Sequence, residues 1–152
     1  MSSVNEDRSL YVQRVIPQSI LVVDDTSVVR RAAFRLLSEA GYRVFEAESA
    51  EEALEVLQTA RPPIDLALVD VIMPSVSGVD LGRLIHAEWP DMALVYMSAY
   101  QAEVMVREGL EDPRVIFLAK PFTREELLNK TTAALVGKRK HPGRQSRTDQ
   151  PS

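Results

Sequence analysis

The chain contains no cysteine. That excludes a disulfide framework and any cysteine-based metal or redox site, and a reducing compartment suits such a chain. It also lacks an apolar run approaching the roughly 18–20 residues that a membrane span requires. The first eighteen residues, Met1 to Gln18, are polar and mixed in charge, without the apolar centre of a signal peptide. The expected location is therefore cytoplasmic. Nor does it have the basic face of a nucleic-acid-binding fold. The net charge is -4. From Gly137 onward five basic residues (Lys138, Arg139, Lys140, Arg144, Arg147) face one acid (Asp149), leaving the body strongly acidic.

What is present is an ordinary globular composition, 45% hydrophobic and 26% charged over 152 residues, enough for one sizeable core and too little for two domains. Three stretches are expected: a polar leader over 1–18, a folded domain over 19–136, and a solvated basic tail over 137–152, rich in Pro, Gly, Ser and Gln.

Short apolar runs mark strands buried on both faces. They are Ile20-Leu21-Val22-Val23, Tyr42 to Ala47, Leu66-Ala67-Leu68-Val69, Met92 to Met97 and Val115 to Ala119. Helical patterns lie between and after them. Thr26 or Ser27 caps the first, with Val29, Ala33, Leu36, Leu37 and Ala40 at helical spacing and Gly41 at its end. Ser49 and Glu52 have the spacing of a capping box before Ala50, Ala53, Leu54 and Leu57. A third carries Leu81, Leu84, Ile85 and Glu88 along one side and stops before Pro90; a weaker fourth runs from Gln101 to Glu108 and closes on Gly109. Thr123 opens the last, with Leu127, Leu128, Thr131 and Leu135 on one face.

Five strands alternating with five helices predict an α/β fold: a doubly wound, five-stranded parallel sheet with helices on both faces and right-handed crossovers. In such sheets functional residues collect beyond the carboxyl ends of the strands. Asp24, Asp25, Asp70, Ser98 and Lys120 each fall at or just past such an end. Three carboxylates gathered there repel one another, and a cation relieves the repulsion. With hard oxygen ligands and no Cys or nearby His, Mg²⁺ is the natural choice. Mg²⁺ completes its shell with water and phosphate oxygens, so a phosphoryl group is a fitting companion. Lys120 supplies a point charge and Ser98 a hydroxyl for it. Phosphoryl transfer needs positioning and charge stabilisation around an in-line nucleophile, and Asp70 is the candidate, forming an aspartyl phosphate.

The motifs Ile20–Asp25 (ILVVDD), Leu68–Gly78 (LVDVIMPSVSG), Ser98-Ala99 and Lys120-Pro121-Phe122 occur in that order. Together they make the chain resemble the receiver domains of two-component response regulators, the CheY-like fold, over about Ser19 to Val136. The resemblance implies that Asp24, Asp25 and Asp70 hold Mg²⁺ with the backbone carbonyl of Ile72. It implies that Asp70 takes a phosphoryl group from a sensor histidine kinase or a phosphotransfer protein, and that Lys120 and Ser98 contact it. It further implies a conformational switch read by a downstream partner, with an aromatic, here Phe117, moving alongside the hydroxyl. Two departures stand out: Phe117 has no hydroxyl, and Gly109-Leu110-Glu111-Asp112-Pro113 replaces the usual Gly-Ala step.

Two other functions compete. The chain could be the receiver segment of a hybrid sensor kinase or multidomain regulator. It could instead resemble haloacid-dehalogenase-like phosphohydrolases, which carry a second Asp two residues after the nucleophile; here that place is Ile72, which cannot move a proton. A phosphoacceptor that modifies itself, rather than a turnover enzyme, is expected. His86 has no catalytic company and reads as a surface or packing residue. Trp89 reads as packing against a helix end.

Overall fold

A computed structural model describes residues 16–74, 76–109 and 115–140. Five strands, β1 (Ser19–Val23), β2 (Arg43–Ala47), β3 (Leu66–Asp70), β4 (Ala93–Ser98) and β5 (Ile116–Ala119), alternate with five helices. These are α1 (Ser27–Glu39), α2 (Ala50–Thr59), α3 (Gly78–Glu88), α4 (Gln101–Glu108) and α5 (Arg124–Lys140). All strand pairs are parallel, in the order β2-β1-β3-β4-β5. The order reverses between β1 and β3, which opens a crevice at their carboxyl ends.

The two-residue period of the strands divides the core into two layers. Leu21, Val23, Ala67 and Val69 face Ala53, Leu57, Val79, Leu81, Ile85 and Val104 of α2, α3 and α4. Ile20, Val22, Leu66, Leu68, Val95 and Met97 face Ala33 and Leu37 of α1 and Leu127, Ala134 and Leu135 of α5. Strands β1 and β3 are buried throughout, as uninterrupted apolar runs require. Truncating a side chain such as Leu37 or Leu127 to Ala removes about 2–5 kcal/mol.

Local chemistry sets the helix ends. Ser49 Oγ accepts from the Glu52 amide, while Glu52 Oε1 accepts from the Glu48 amide. Thr123 and Glu126 bond reciprocally, a full capping box. Thr26 caps α1 without a side-chain bond; its amide donates instead to Asp24 Oδ1. Gly41 and Gly109 follow α1 and α4 with φ of 103° and 69°, the left-handed region where a Cβ is costly.

Several boundaries differ from those the apolar patterns predict. Strands β2, β4 and β5 begin at Arg43, Ala93 and Ile116, one residue later than the apolar runs suggest. On α3 the buried face is Val79, Leu81, Gly82 and Ile85. Leu84 is instead 41% exposed, because the side of α3 that carries Gly78, Gly82 and Ile85 lies against the sheet and leaves that position facing outward. Helix α5 continues through Lys140, past the tail boundary expected at Gly137. Lys138 Nζ there meets Asp65 Oδ1 at 3.2 Å; Asp65 Oδ2 accepts from the Ser19 amide at 2.8 Å. The polar composition after Val136 hides a helix that good helix formers and this ion pair extend. Residues 141–152 of the expected tail, 1–15 of the leader and 110–113 of the unusual loop lie outside the described residues. Trp89 packs partly buried against the α2–α3 side of the core, and His86 is on the surface.

Two glycines on α3 allow close approach to the sheet. A Cβ on Gly78 would overlap the carbonyl oxygen of Asp70, and one on Gly82 would overlap the Tyr96 hydroxyl. The first obstacle is backbone and cannot yield; the second is the end of a side chain. Gly78→Ala is therefore expected to cost about 1–3 kcal/mol or more. The loss in Gly82→Ala should be only partly recovered by adding Tyr96→Phe, because the hydroxyl leaves but the ring carbons still crowd the new Cβ. Urea denaturation of the two single variants and the double variant measures both, and equal, unrecoverable losses would contradict the account.

Candidate functional site

The strand ends place four charged side chains together. Asp24, the residue after β1, is fully buried; Asp70, the last of β3, is 5% exposed; Asp25 is exposed. One carboxylate oxygen from each lies within 4.8 Å of the others. Lys120, just past β5, reaches in so that Nζ stands 2.8 Å from Asp24 Oδ2 and 3.3 Å from Asp70 Oδ1. Its backbone amide donates to the Ser98 carbonyl at 3.0 Å, which fixes the root of the side chain.

The acids differ in how they are held. Asp24 Oδ1 accepts from the Thr26 amide at 2.8 Å. Asp24 Oδ2 is buried and receives no well-directed hydrogen bond, so the nearby Lys120 acts as counter-charge. Asp70 Oδ1 is 3.4 Å from the Ile72 amide, a long bond. Asp25 makes no hydrogen bond or ion pair among the described residues.

Of the expected site residues, Asp24, Asp25, Asp70 and Lys120 converge. Ser98 is buried at the neighbouring strand end, and its hydroxyl accepts from the Tyr100 amide at 2.9 Å; its O–H proton remains available to donate. The Ile72 side chain is half exposed at the rim, so only its backbone belongs near the acids. Phe117 is buried against Tyr96, with ring centroids 5.7 Å apart. Sequence reasoning misses Arg30, whose Nη1 donates to the Asp24 carbonyl at 2.7 Å. Its place just over one helical turn after the acid pair is the available signal.

Burial, followed by the charge of Asp24, pushes the Asp70 carboxyl up to about 6 despite the opposing pull of Lys120. Three carboxylates against one ammonium leave a surplus of two negative charges. That surplus, an all-oxygen donor set and the poorly satisfied Asp24 Oδ2 fit a hard divalent cation such as Mg²⁺.

The response regulator receiver domain family matches residues 20–132. The chain belongs to that family. It is 34% identical over 109 residues to the sensor kinase CckA of Brucella abortus, covering 72% of this chain and 12% of that protein. It is 35% identical over 120 residues to the response regulator MprA of Mycolicibacterium vanbaalenii, covering 79% of this chain and 51% of that one. Among solved structures, the chemotaxis protein CheY4 of Vibrio cholerae superposes with a TM-score of 0.72 at 27% identity, over 79% of this chain and all of CheY4. The fold is thus the flavodoxin-like receiver fold, and the chain is a receiver domain of two-component systems, a family of signalling phosphoacceptors. It spans about half or less of the length of the curated relatives named here. No helix among the described residues is long and apolar enough to cross a membrane.

The raised Asp70 carboxyl has a consequence for stability. Its folded value, about 6, lies above the ordinary 3.8, so the folded state holds the proton more tightly than the unfolded chain does. Below about 4 the group is protonated in both states and costs nothing; as pH rises through 6 the full cost of ionisation appears. In chelator at pH 7.5, Asp70→Asn should stabilise the domain by about 1–3 kcal/mol, at about 1.4 kcal/mol per pKa unit. The gain should shrink toward zero at pH 4. Denaturation curves at both pH values check it, and a gain independent of pH would contradict it.

Proposed function

We propose that Asp70 is the phosphoacceptor, with Asp24, Asp25 and the Ile72 carbonyl holding Mg²⁺ beside it. The observation that carries the reading is the convergence of three strand-end carboxylates around one lysine, with Asp70 central. A sensor histidine kinase or phosphotransfer protein supplies the phosphoryl group. An Asp70 oxygen attacks phosphorus in line, the P–N bond to the donor imidazole breaks, and an acyl phosphate remains on Asp70. The bound Mg²⁺ would offset charge on the transferring oxygens. Lys120 turns from Asp24 and Asp70 toward the phosphoryl group, and the Ser98 O–H donates to it. These contacts bias the domain toward a state that a downstream partner reads.

The domain acts as a self-modifying phosphoacceptor rather than a turnover enzyme. Ile72 offers no proton where a phosphohydrolase of this general chemistry would need one. A second reading, the receiver segment of a hybrid sensor kinase or multidomain regulator, draws support from the small share of its relatives that the chain spans. A cytoplasmic location agrees with both.

Incubation with acetyl phosphate and Mg²⁺ should add one phosphoryl mass to the intact protein. Asp70→Asn should abolish the addition, as should replacing Mg²⁺ with chelator. Comparable labelling of Asp70→Asn would dismiss the assignment, and sustained turnover of a phosphomonoester would overturn the non-enzymatic reading.

The lifetime of the phosphoryl group follows from the rim. Hydrolysis needs a water in line with phosphorus, and Ile72 and Tyr100, 50% and 58% exposed, stand after the Asp70 and Ser98 strand ends. Ile72 cannot orient a water by hydrogen bonding. Ile72→Asn should lose its phosphoryl group faster, by about one to two powers of ten, or roughly 1.4–2.8 kcal/mol of barrier. If the Tyr100 hydroxyl holds the water instead, Tyr100→Phe should be slower than wild type. Equal decay in all three proteins would remove both explanations.

A further inference from the structure

Arg30 lies in the second turn of α1, 14% exposed at its side chain, and its guanidinium is shared between two partners. Nη1 donates to the Asp24 carbonyl at 2.7 Å and Nε to Glu46 Oε1 at 3.1 Å. The other Glu46 oxygen accepts from Arg31 Nη1 at 2.8 Å. Glu46 lies on β2, and the adjoining Ala47 carbonyl accepts from the Asp24 amide at 3.1 Å. Both peptides flanking Asp24 are thereby fastened, one to the end of β2 directly and the other through Arg30.

The carbonyl that Arg30 holds belongs to the peptide joining Asp24 to Asp25. Rotating that peptide would swing the two carboxylates apart. Asp24 has further anchors in Thr26 and Lys120, whereas Asp25 has no side-chain bond of its own among the described residues. Its direction is set by the backbone that Arg30 grips.

We propose that Arg30, clamped by Glu46, is a positioning residue that fixes the Asp24–Asp25 peptide so that both carboxylates converge with Asp70 on a divalent cation. This rests on the Mg²⁺ reading above and adds two residues to it that do not touch the cation. Their role resembles that of outer partners that orient metal-ligating groups.

Charge and geometry predict opposite signs. Arg30 is permanently cationic, so deleting its charge near three carboxylates would by itself tighten Mg²⁺ binding. Loss of positioning weakens it. The test is calorimetric titration of Mg²⁺ into the full, metal-free chain. Arg30→Met should bind roughly 10-fold more weakly than wild type. Arg31→Met, which removes the same charge and a contact to the same Glu46 but none to Asp24, should bind within twofold of wild type (about 0.4 kcal/mol at RT ln 2). Arg30→Lys keeps the charge without the planar fork and should also be weakened; it serves as the second variant should Arg30→Met fold poorly in a melt under chelator. Amide exchange at Thr26 in metal-free protein should quicken in Arg30→Met, since that amide depends on the Asp24 carboxylate staying in place. Unchanged or tighter Mg²⁺ binding by Arg30→Met, or wild-type binding by Arg30→Lys, overturns the proposal. Absence of Mg²⁺ binding in the wild type would overturn the cation reading itself and the proposal with it.

Discussion

Mutual repulsion of carboxylates at one sheet edge is the constraint around which this domain is arranged. Two of the three acids are almost wholly removed from water, and a single ammonium stands between them. Burying charge in that way is costly unless geometry and further hydrogen bonds compensate. Compensation here is incomplete, as Asp24 Oδ2 and the raised Asp70 carboxyl both show. A site left under-satisfied in this manner has free energy to release to any group that neutralises its surplus charge. The rest of the fold supplies rigidity: two fully buried strands carry Asp24 and Asp70, and the α3 glycine at position 78 lets the next helix begin directly against the Asp70 carbonyl.

Much of this arrangement is legible in the order of the residues alone. Parallel strands buried on both faces must be continuously apolar, so their ends are abrupt, and the polar residues at those ends stand out. That is why Asp24, Asp70, Ser98 and Lys120 can be picked from Val22-Val23-Asp24, Val69-Asp70, Met97-Ser98 and Ala119-Lys120. The capping pair Ser49/Glu52 speaks through local spacing in the same way, and so does Thr123 at the start of α5, where the structure adds Glu126 as its partner.

What is not legible depends on long-range partners. Arg30 looks like any charged residue on a helix until the fold places β2 beside it and Glu46 within reach. Lys138 looks like part of a solvated tail because its partner Asp65 is 73 residues away. Leu84 reads as core because helical spacing alone does not fix the phase of the buried face, and the close approach of the Gly78–Gly82 side to the sheet leaves it outside. In the first two cases the missing information is the identity of a distant neighbour; in the third it is which side of the helix the sheet takes.

The contacts of Asp65 have a mechanical meaning. One oxygen holds the first residue of β1 and the other holds the end of α5. The path of the chain into the sheet and its path out along the last helix are thus pinned to a single carboxylate at the amino-terminal edge of the strands, the pole opposite Asp70. A segment joined at either end would pull on the same point, far from the acids. A longer polypeptide joined to either of these anchored paths would load the domain at the pole away from its acidic edge.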